Sequence, residues 1–176
     1  MSTEGIIYRK LEAFIRKFYT NELIKGIIFF FGLGLLYFLF TLSIEYFLWL
    51  KPNARTVLFL VFILVELVLL IRLILFPIFK LVKLQKGIDY QQASEIIGNH
   101  FNEVGDKLTN FLQLAQNTAQ SELLLASIQQ KSSELQPIPF TNAVNFKANK
   151  KYLPWVVVPI GCIFFFYATG NSRVLF

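Results

Sequence analysis

Three long apolar runs dominate the chain, at residues 26–50, 56–79 and 152–169. Each of the first two reaches the roughly 20 residues that a helix needs to cross a bilayer. Because backbone amides cannot be left without hydrogen bonds in hydrocarbon, such runs indicate membrane helices and not strands. Hydrophobic residues make up 55% of the 176 residues, which agrees. We therefore predict an all-α membrane protein with a transmembrane helical hairpin, a cytoplasmic helical insert and a third transmembrane helix.

The distribution of lysine and arginine predicts the topology, because basic residues concentrate in cytoplasmic loops. The basic residues that flank the hairpin (residues 26–80) and its turn are Arg9, Lys10, Arg16, Lys17, Lys25, Lys51, Arg55, Lys80, Lys83 and Lys86. Only two of them lie in the turn, so the N-terminus and residues 81–151 are expected in the cytoplasm and the hairpin in the inner membrane. The net charge of +6 is explained by basic residues beside the apolar runs, where they set the topology and contact anionic lipid headgroups. No nucleic-acid reading motif accompanies them.

Residues 1–25 combine basic residues with apolar residues at helical spacing, among them Ile7, Leu11 and Phe14. This pattern favours a basic amphipathic helix that lies in the membrane interface. The alternative is a cytoplasmic extension of the first membrane helix. No small-residue cleavage site follows the apolar core, so a cleaved signal peptide is not indicated.

The third membrane helix is predicted over residues 152–170, and Pro154 and Pro159 interrupt its first turns. Lysines precede it, so it is expected to run outward. Residues 171–176 end in an apolar stub, which we interpret as the start of an extracytoplasmic extension. The chain is then expected to be the N-terminal part of a longer protein.

The insert at residues 81–151 shows the pattern of a small helical unit. Asp89 followed by Gln92 has the arrangement of a capping box, and Gly87 is expected to end the preceding helix. Asn102 is expected to start a second helix, and Asn117 or Thr118 a third. The apolar faces predicted for the three helices consist of Ala93, Ile96, Ile97, His100 and Phe101, then Val104, Leu108, Phe111, Leu112 and Ala115, then Leu123, Leu124, Ala126, Ile128 and Leu135.

Glu66 and Arg72 are charged residues inside the second run. An ionised side chain at the bilayer centre costs roughly 2.5–3.5 kcal/mol or more, so an intramembrane acid needs an explanation. Six residues place the two about 9 Å apart along the helix and about 120° apart around it, which disfavours an intrahelical pair. A packing or assembly contact is the favoured interpretation of Glu66, and a proton or ion relay is the alternative. Gly26, Gly32 and Gly34 are interpreted as ordinary membrane-helix glycines.

No catalytic, cofactor-binding or metal-binding residue is predicted. His100 is the only histidine, and a core or interface role is favoured over metal ligation. The single cysteine, Cys162, excludes an intrachain disulfide. Phosphate-binding, dinucleotide-binding and nucleophile motifs are missing from the sequence. We therefore do not expect an enzyme, and no cofactor is expected.

Two stretches carry a family resemblance. Their residues are Asp89-Tyr90, Ala93, Ile96-Ile97-Gly98-Asn99-His100-Phe101, Val104, Asp106-Lys107-Leu108, Asn110 and Leu112-Gln113-Leu114, then Ala143-Val144-Asn145-Phe146 and Asn149-Lys150-Lys151-Tyr152-Leu153. With the order of elements, they resemble the N-terminal region of large Bacteroidota membrane proteins known as domain-of-unknown-function family 4175. The resemblance implies two membrane helices, a cytoplasmic helical insert, a third membrane helix and a long extracytoplasmic part, and it implies no catalytic residue.

These observations predict a multi-pass membrane anchor and protein-interaction module of the bacterial envelope, without chemistry of its own. Its expected partners are the lipid bilayer and other membrane or envelope proteins, or a second copy of the chain. Phe101, Leu108 and Leu112 are the predicted partner surface. The alternative function is a subunit of an ion- or proton-coupled membrane complex that uses Glu66 as its titrating group.

Overall fold

The computed structural model describes residues 3–115 and 122–168, and within these ranges it consists of helices and loops without a β-strand. The elements are α1 (Thr3–Leu48), α2 (Pro52–Leu70), a π-helical segment (Ile71–Leu75), α3 (Phe76–Leu81), α4 (Tyr90–His100), α5 (Asn102–Ala115), α6 (Glu122–Leu135), two 3-10 helices (Phe140–Ala143 and Phe146–Tyr152) and α7 (Pro154–Ala168). The predicted all-helical class is confirmed.

The chain divides into two compact units. The polar unit comprises Met1–Asn21 and Lys83–Asn145, and the apolar unit comprises Glu22–Val82 and Phe146–Phe176. The predicted insert, residues 81–151, is therefore not a unit by itself. It needs the first turns of α1 to complete its core, and residues 146–151 group with the apolar unit.

The start of α1 supplies the centre of the polar unit's core. Ile7, Leu11 and Phe14 are each 0% exposed, and their spacing of four and three residues places them on one face of the helix. Each such burial contributes roughly 1.5–3 kcal/mol. The prediction of a separate interfacial helix over residues 1–25 is wrong, because this apolar face is covered by protein and the helix continues unbroken to Leu48. The structure instead has the alternative, in which this segment is an extension of the first apolar helix.

The capping box at the start of α4 is confirmed. The Gln92 N–H donates to the Asp89 carboxylate at 2.7 Å, and the Asp89 N–H donates to the Gln92 side-chain oxygen at 3.2 Å. Helices α4 and α5 then cross at a pair of glycines. A Cβ at Gly98 would lie 2.7 Å from the Gly105 Cα, so the two backbones are in direct contact there. A larger residue at either position would push the helices apart.

The prediction that Gly87 ends a helix is wrong, because α3 ends at Leu81 and residues 82–89 form a loop. Tyr19 of α1 holds this loop. Its hydroxyl accepts a hydrogen bond from the Ile88 N–H at 2.6 Å, and a Cβ at Gly87 would lie 2.8 Å from the same hydroxyl. Glycine at position 87 thus lets the loop pass close to the Tyr19 ring, and a larger residue there would displace the ring.

The predicted apolar faces of the insert helices are partly confirmed. In α4 and α5 the buried apolar residues are Ala93, Ile97, Val104, Leu108, Phe111 and Leu112. His100 is exposed, so its predicted core role is wrong. In α6 the helix turns Ile128, Ser132 and Leu135 inward, while Leu123 is 82% exposed and Ala126 is exposed as well. The predicted starts of α6 at Asn117 or Thr118 lie outside the described residues.

Two lysines of α1 bind the chain that follows α6. The Lys10 ammonium donates to the carbonyl oxygens of Gln136 and Ile138, the latter at 2.8 Å, and Lys17 donates to the Thr141 carbonyl oxygen at 2.8 Å. Burial lowers the pKa of Lys10. The two lysines are seven residues apart on one helix face, so they act as a paired clamp on this segment.

A second clamp joins α1 to the loop that follows α3. The Lys83 ammonium lies 3.0 Å from the Glu12 carboxylate, and the Tyr90 hydroxyl donates to the same oxygen at 3.4 Å. Hydrogen bonding and charge attraction by Lys83 hold the pKa of Glu12 below its ordinary value. Burial, followed by the nearby Glu12 charge, raises the pKa of Tyr90.

The apolar unit contains an antiparallel helical hairpin. Contacts between α1 and the following helical stretch run in opposite directions along the two, because Tyr37 stacks on Phe62 at 5.6 Å and Gly34 lies against Glu66. Trp49 makes the turn with a positive φ of 45°, and Arg55 pairs with Glu45 across it at 2.5 Å. The second helical stretch begins at Pro52, four residues before the predicted start, because proline suits the first turn of a helix.

Among the described residues, two helices are long and apolar enough to cross a membrane, over Gly5–Leu48 and Pro52–Leu81. A core helix of a water-soluble protein would be mostly buried, whereas 11% and 0% of their most apolar windows are buried. Together these helices suggest a membrane location. Of the third predicted helix, Pro154–Ala168 is helical, whereas Tyr152 ends the preceding 3-10 helix and Leu153 lies in a turn. Residues 169–170 of the predicted range lie outside the described residues. At 15 residues α7 is about 22 Å long.

A π-helical segment at Ile71–Leu75 precedes Pro77. Proline has no N–H, so it cannot donate the bond that an α-helix would direct to the Leu73 carbonyl. Gly26 of α1 packs directly against this carbonyl, because a Cβ at position 26 would overlap the Leu73 oxygen. The interpretation of Gly26 as an ordinary helix glycine is therefore wrong: it lets two backbones touch.

Replacing Gly98 by Ala is expected to reduce the free energy of unfolding of the polar unit by about 1–3 kcal/mol, because the new methyl group meets the Gly105 backbone. Faster amide hydrogen exchange in α4 and α5 would measure the loss. Gly161→Ala is the matched control, since open space surrounds that position and alanine favours the helix. Unchanged exchange in Gly98→Ala would contradict the close crossing.

Replacing Lys83 by Met is expected to raise the pKa of Glu12 toward its ordinary value of about 4.3, as followed by carbon-13 NMR of the carboxyl group. The wild-type pair contributes stability above the unfolded-state pKa of Glu12, and this contribution disappears as pH falls through the lowered folded-state value. The variant should therefore lose less stability on acidification. Lys86→Met, at an exposed lysine of the same loop, should change neither quantity.

Candidate functional site

Glu66 lies near the middle of the helical stretch Pro52–Leu81 and faces α1. Its two carboxylate oxygens lie 2.9 Å and 3.0 Å from the place where a Cβ on Gly34 would be. The carboxylate therefore rests directly on the α1 backbone. Only glycine at position 34 leaves room for it in this position.

An apolar cleft of about 260 Å³ opens beside this carboxylate. Its lining residues are Phe30, Phe31, Gly34, Leu35, Phe38, Phe62 and Glu66. Four of the seven are phenylalanines, and Glu66 is the one that carries a polar side chain. The cleft thus combines a single acid with aromatic walls.

The Glu66 carboxylate has no partner within the described part of the chain. Its Oε1 atom is buried and accepts no hydrogen bond there. Four other glutamates in the same ranges are each paired with a nearby cation, for example Glu22 with Lys25 at 2.6 Å and Glu134 with Lys107 at 3.3 Å. Glu66 differs from these because it is both partly buried and unpaired.

Arg72 does not meet Glu66. It belongs to the π-helical segment Ile71–Leu75, its side chain is exposed, and no ion pair joins it to Glu66 in the ranges that the structure describes. This agrees with the separation expected from the six intervening positions. The two predicted intramembrane charges are therefore separate features and not one site.

The predicted partner surface at Phe101, Leu108 and Leu112 is not a surface. Leu108 is 0% exposed and Leu112 is 4% exposed, and both belong to the core of the polar unit. Phe101 is partly buried beside His100, with ring centroids 4.7 Å apart. The amphipathic pattern that suggested a docking face is explained by burial of this face inside the polar unit, where α5 packs against α4 and α6. Aspartate at position 108 would disrupt this core and would not test a partner contact.

The carboxylate in the cleft can bind a hydrogen-bond donor or a cation, but the lining of the cleft does not form a proton or ion relay. A relay needs successive polar groups, and the lining side chains other than Glu66 are all apolar. The carboxylate can accept a hydrogen bond or pair with a cation, and in its protonated form it can donate one hydrogen bond. Within residues 3–115 and 122–168, no group of three or more His, Cys, Asp and Glu residues is placed to hold a metal ion. The expectation of a non-enzymatic chain stays a prediction.

The sequence analysis identified Glu66, but it interpreted Gly34 as an ordinary helix glycine and did not identify the phenylalanines of the cleft. The signal for Gly34 was present as a glycine in an apolar helix. Which glycine would face the acid depends on the register of the hairpin, and the sequence does not specify that register. The pairing of Tyr37 with Phe62 in the folded hairpin sets it.

Replacing Glu66 by Leu is expected to stabilise the apolar unit by about 1–3 kcal/mol, because it removes an unpaired acid from apolar surroundings. Thermal unfolding of the full chain in detergent, followed by circular dichroism, measures the change. Glu45→Leu, which removes a paired acid at the turn, should give no such gain. A lower melting temperature for Glu66→Leu would mean that the carboxylate is a structural group of the hairpin.

Comparison of the chain with protein-family models, with curated proteins and with solved structures gives no match. The resemblance to domain-of-unknown-function family 4175 stays a prediction that rests on the residues quoted for it. What the chain does is therefore argued from its own geometry: an apolar unit with a helical hairpin, a polar helical unit, and an unpaired carboxylate in an aromatic cleft.

Proposed function

We propose that the chain is a multi-pass membrane anchor that carries a polar helical unit on the cytoplasmic side of the inner membrane for assembly with other membrane or envelope proteins. One observation carries the proposal. The polar unit is built from the segments on both sides of the apolar hairpin, Met1–Asn21 before it and Lys83–Asn145 after it.

The exposed apolar surface of the hairpin supports the membrane part of the proposal. Along α2, Leu60, Leu64 and Leu67 are 61%, 63% and 55% exposed. Water-soluble proteins rarely leave apolar patches of this extent uncovered. In a bilayer these side chains meet lipid tails, and the helix satisfies the backbone internally.

The polar unit is built from two segments of the chain, and this supports an even number of membrane crossings between them. Both segments must be on the same side of the membrane to share one core, to which the first contributes the buried Ile7 and Leu11 and the second the buried Ile97 and Leu108. Two crossings by the hairpin meet this requirement. One crossing or three would separate the segments.

The basic residues favour the cytoplasm as the shared side. The segments on either side of the hairpin are rich in lysine and arginine, whereas the turn has Lys51 and Arg55, of which Arg55 is paired with Glu45. Trp49 at the turn is 87% exposed, which suits an indole at the opposite interface. We propose residues 152–170 as a third, outward crossing and residues 171–176 as the start of an extracytoplasmic part.

The topology is tested by single-cysteine labelling in cells that produce the full chain with Cys162→Ser. Asn53→Cys at the turn should react with a membrane-impermeant maleimide in intact spheroplasts. Asn99→Cys in α4 should react only after lysis, since the polar unit would be inside. Both positions are exposed, so access through the membrane is the difference between them. Equal labelling of the two in intact spheroplasts would contradict the proposed anchor.

The assembly part is tested separately in the same cells. The chain at its native level, solubilised in mild detergent, should migrate with other membrane or envelope proteins on a native gel. Migration at the mass of a single 20.4 kDa chain with its detergent would contradict this part of the proposal and leave the topology result unaffected.

A further inference from the structure

We propose that the cleft beside Glu66 receives one basic side chain from a transmembrane helix of a different protein. The proposal rests on the membrane anchor proposed above and names the chemistry of its partner. The observation behind it is a carboxylate that has a buried, unpaired oxygen and that lies in an open apolar cleft.

Charge is the first argument. An unpaired carboxylate near the middle of a membrane helix costs about 2.5–3.5 kcal/mol or more, and such residues pair with one another or with a partner group. Glu66 has no hydrogen bond or ion pair within the described residues. A lysine or arginine from outside the chain would supply the missing partner.

The walls of the cleft are the second argument. Phe30, Phe31, Phe38 and Phe62 line the same cleft as Glu66. The faces of aromatic rings attract ammonium and guanidinium groups, and they also pack well against the methylene stem of lysine or arginine. The aromatic walls and the acid together therefore favour a cation with an apolar stem.

The size of the cleft is the third argument. Its volume of about 260 Å³ is below the range of roughly 300–1,000 Å³ that is typical of pockets for drug-sized ligands and cofactors. A single long side chain fits such a space. Gly34 leaves the approach to the carboxylate open, since a side chain at that position would take up the space.

The described membrane segments of this chain supply no basic side chain at the depth of Glu66, so the proposal assigns it to another protein. Residues 26–50 and 154–168 contain no lysine or arginine, so α1 and α7 offer none at the depth of Glu66. Arg72 lies about 9 Å along the helix from Glu66. In a symmetric pair of copies, equivalent residues stand at equal depth, so the Arg72 of a second copy would be displaced from Glu66 by the same distance.

The test uses the full chain in vesicles of phosphatidylcholine and phosphatidylglycerol, with a fluorophore on Cys162, its only cysteine. The probes are two polyleucine transmembrane peptides that carry an acceptor dye and differ only at the central residue, lysine or leucine. The lysine peptide should associate about tenfold more tightly than the leucine peptide, as expected for one polar contact between membrane helices.

Three variants and one control variant locate the effect. Glu66→Gln should abolish the preference for the lysine peptide by removing the charge, and Gly34→Leu should abolish it by filling the cleft. Glu66→Leu is a further variant whose fold is expected to be at least as stable as that of the wild type. Glu45→Gln, at the paired acid of the turn, should keep the tenfold preference.

Three results would overturn the proposal. One is equal association of the two peptides with inserted, helical wild-type chain, which would leave the anchor itself intact. Another is a lysine preference that survives in Glu66→Leu. A third is energy transfer between copies of the chain, without peptide, that is lost in Glu66→Gln, because the cleft would then belong to a second copy. Failure of the chain to insert into the vesicles would refute the proposed anchor as well.

Discussion

The fold depends on one helix that is shared by the polar unit and the apolar unit. Helix α1 is continuous from Thr3 to Leu48, and it contributes first to the polar unit and then to the apolar unit. In the polar unit it buries Ile7, Leu11 and Phe14, and its polar positions clamp the loops around α4 and α6. Without these first turns, the helices after the hairpin would lack the centre of their core.

Close backbone contact is the second constraint, and it recurs in both units. Gly98 meets Gly105 in the polar unit, and Gly26 meets the Leu73 carbonyl in the apolar unit. The apolar contact lies where Pro77 removes an N–H from the helix, so the π-helical segment and the glycine occur together. In the proposed membrane anchor, close packing of this kind would replace the hydrophobic driving force that is missing between membrane helices.

The unpaired carboxylate of Glu66 lowers the stability of the apolar unit, and no hydrogen bond or ion pair within the described residues offsets this cost. The carboxylate rests on Gly34 and remains unpaired, whereas Glu12, Glu22, Glu45 and Glu134 each have a lysine or arginine nearby. Groups that lower stability in this way are common at functional sites. A partner that supplies a cation would recover part of the cost on binding.

Much of the local structure was predictable from the sequence. Apolar run length predicted the hairpin helices, and the Asp89–Gln92 capping box predicted the start of α4, because both depend on residues close together in the chain. What an amphipathic face packs against was not predictable in the same way. The face of Ile7, Leu11 and Phe14 was assigned to lipid and that of Leu108 and Leu112 to a partner, yet the two pack into one core.

The sequence by itself determined which segments are helical, which are apolar and where charges interrupt them, since these follow from composition and spacing. Only the tertiary structure decided that residues 3–21 and 83–145 share a core and that Glu66 rests on Gly34. The physical reason is that an apolar helix face is equally stabilised by lipid, by a partner or by its own chain. Helix register and long-range packing determine which of these three surfaces covers the face, and neither can be derived from the local spacing of residues.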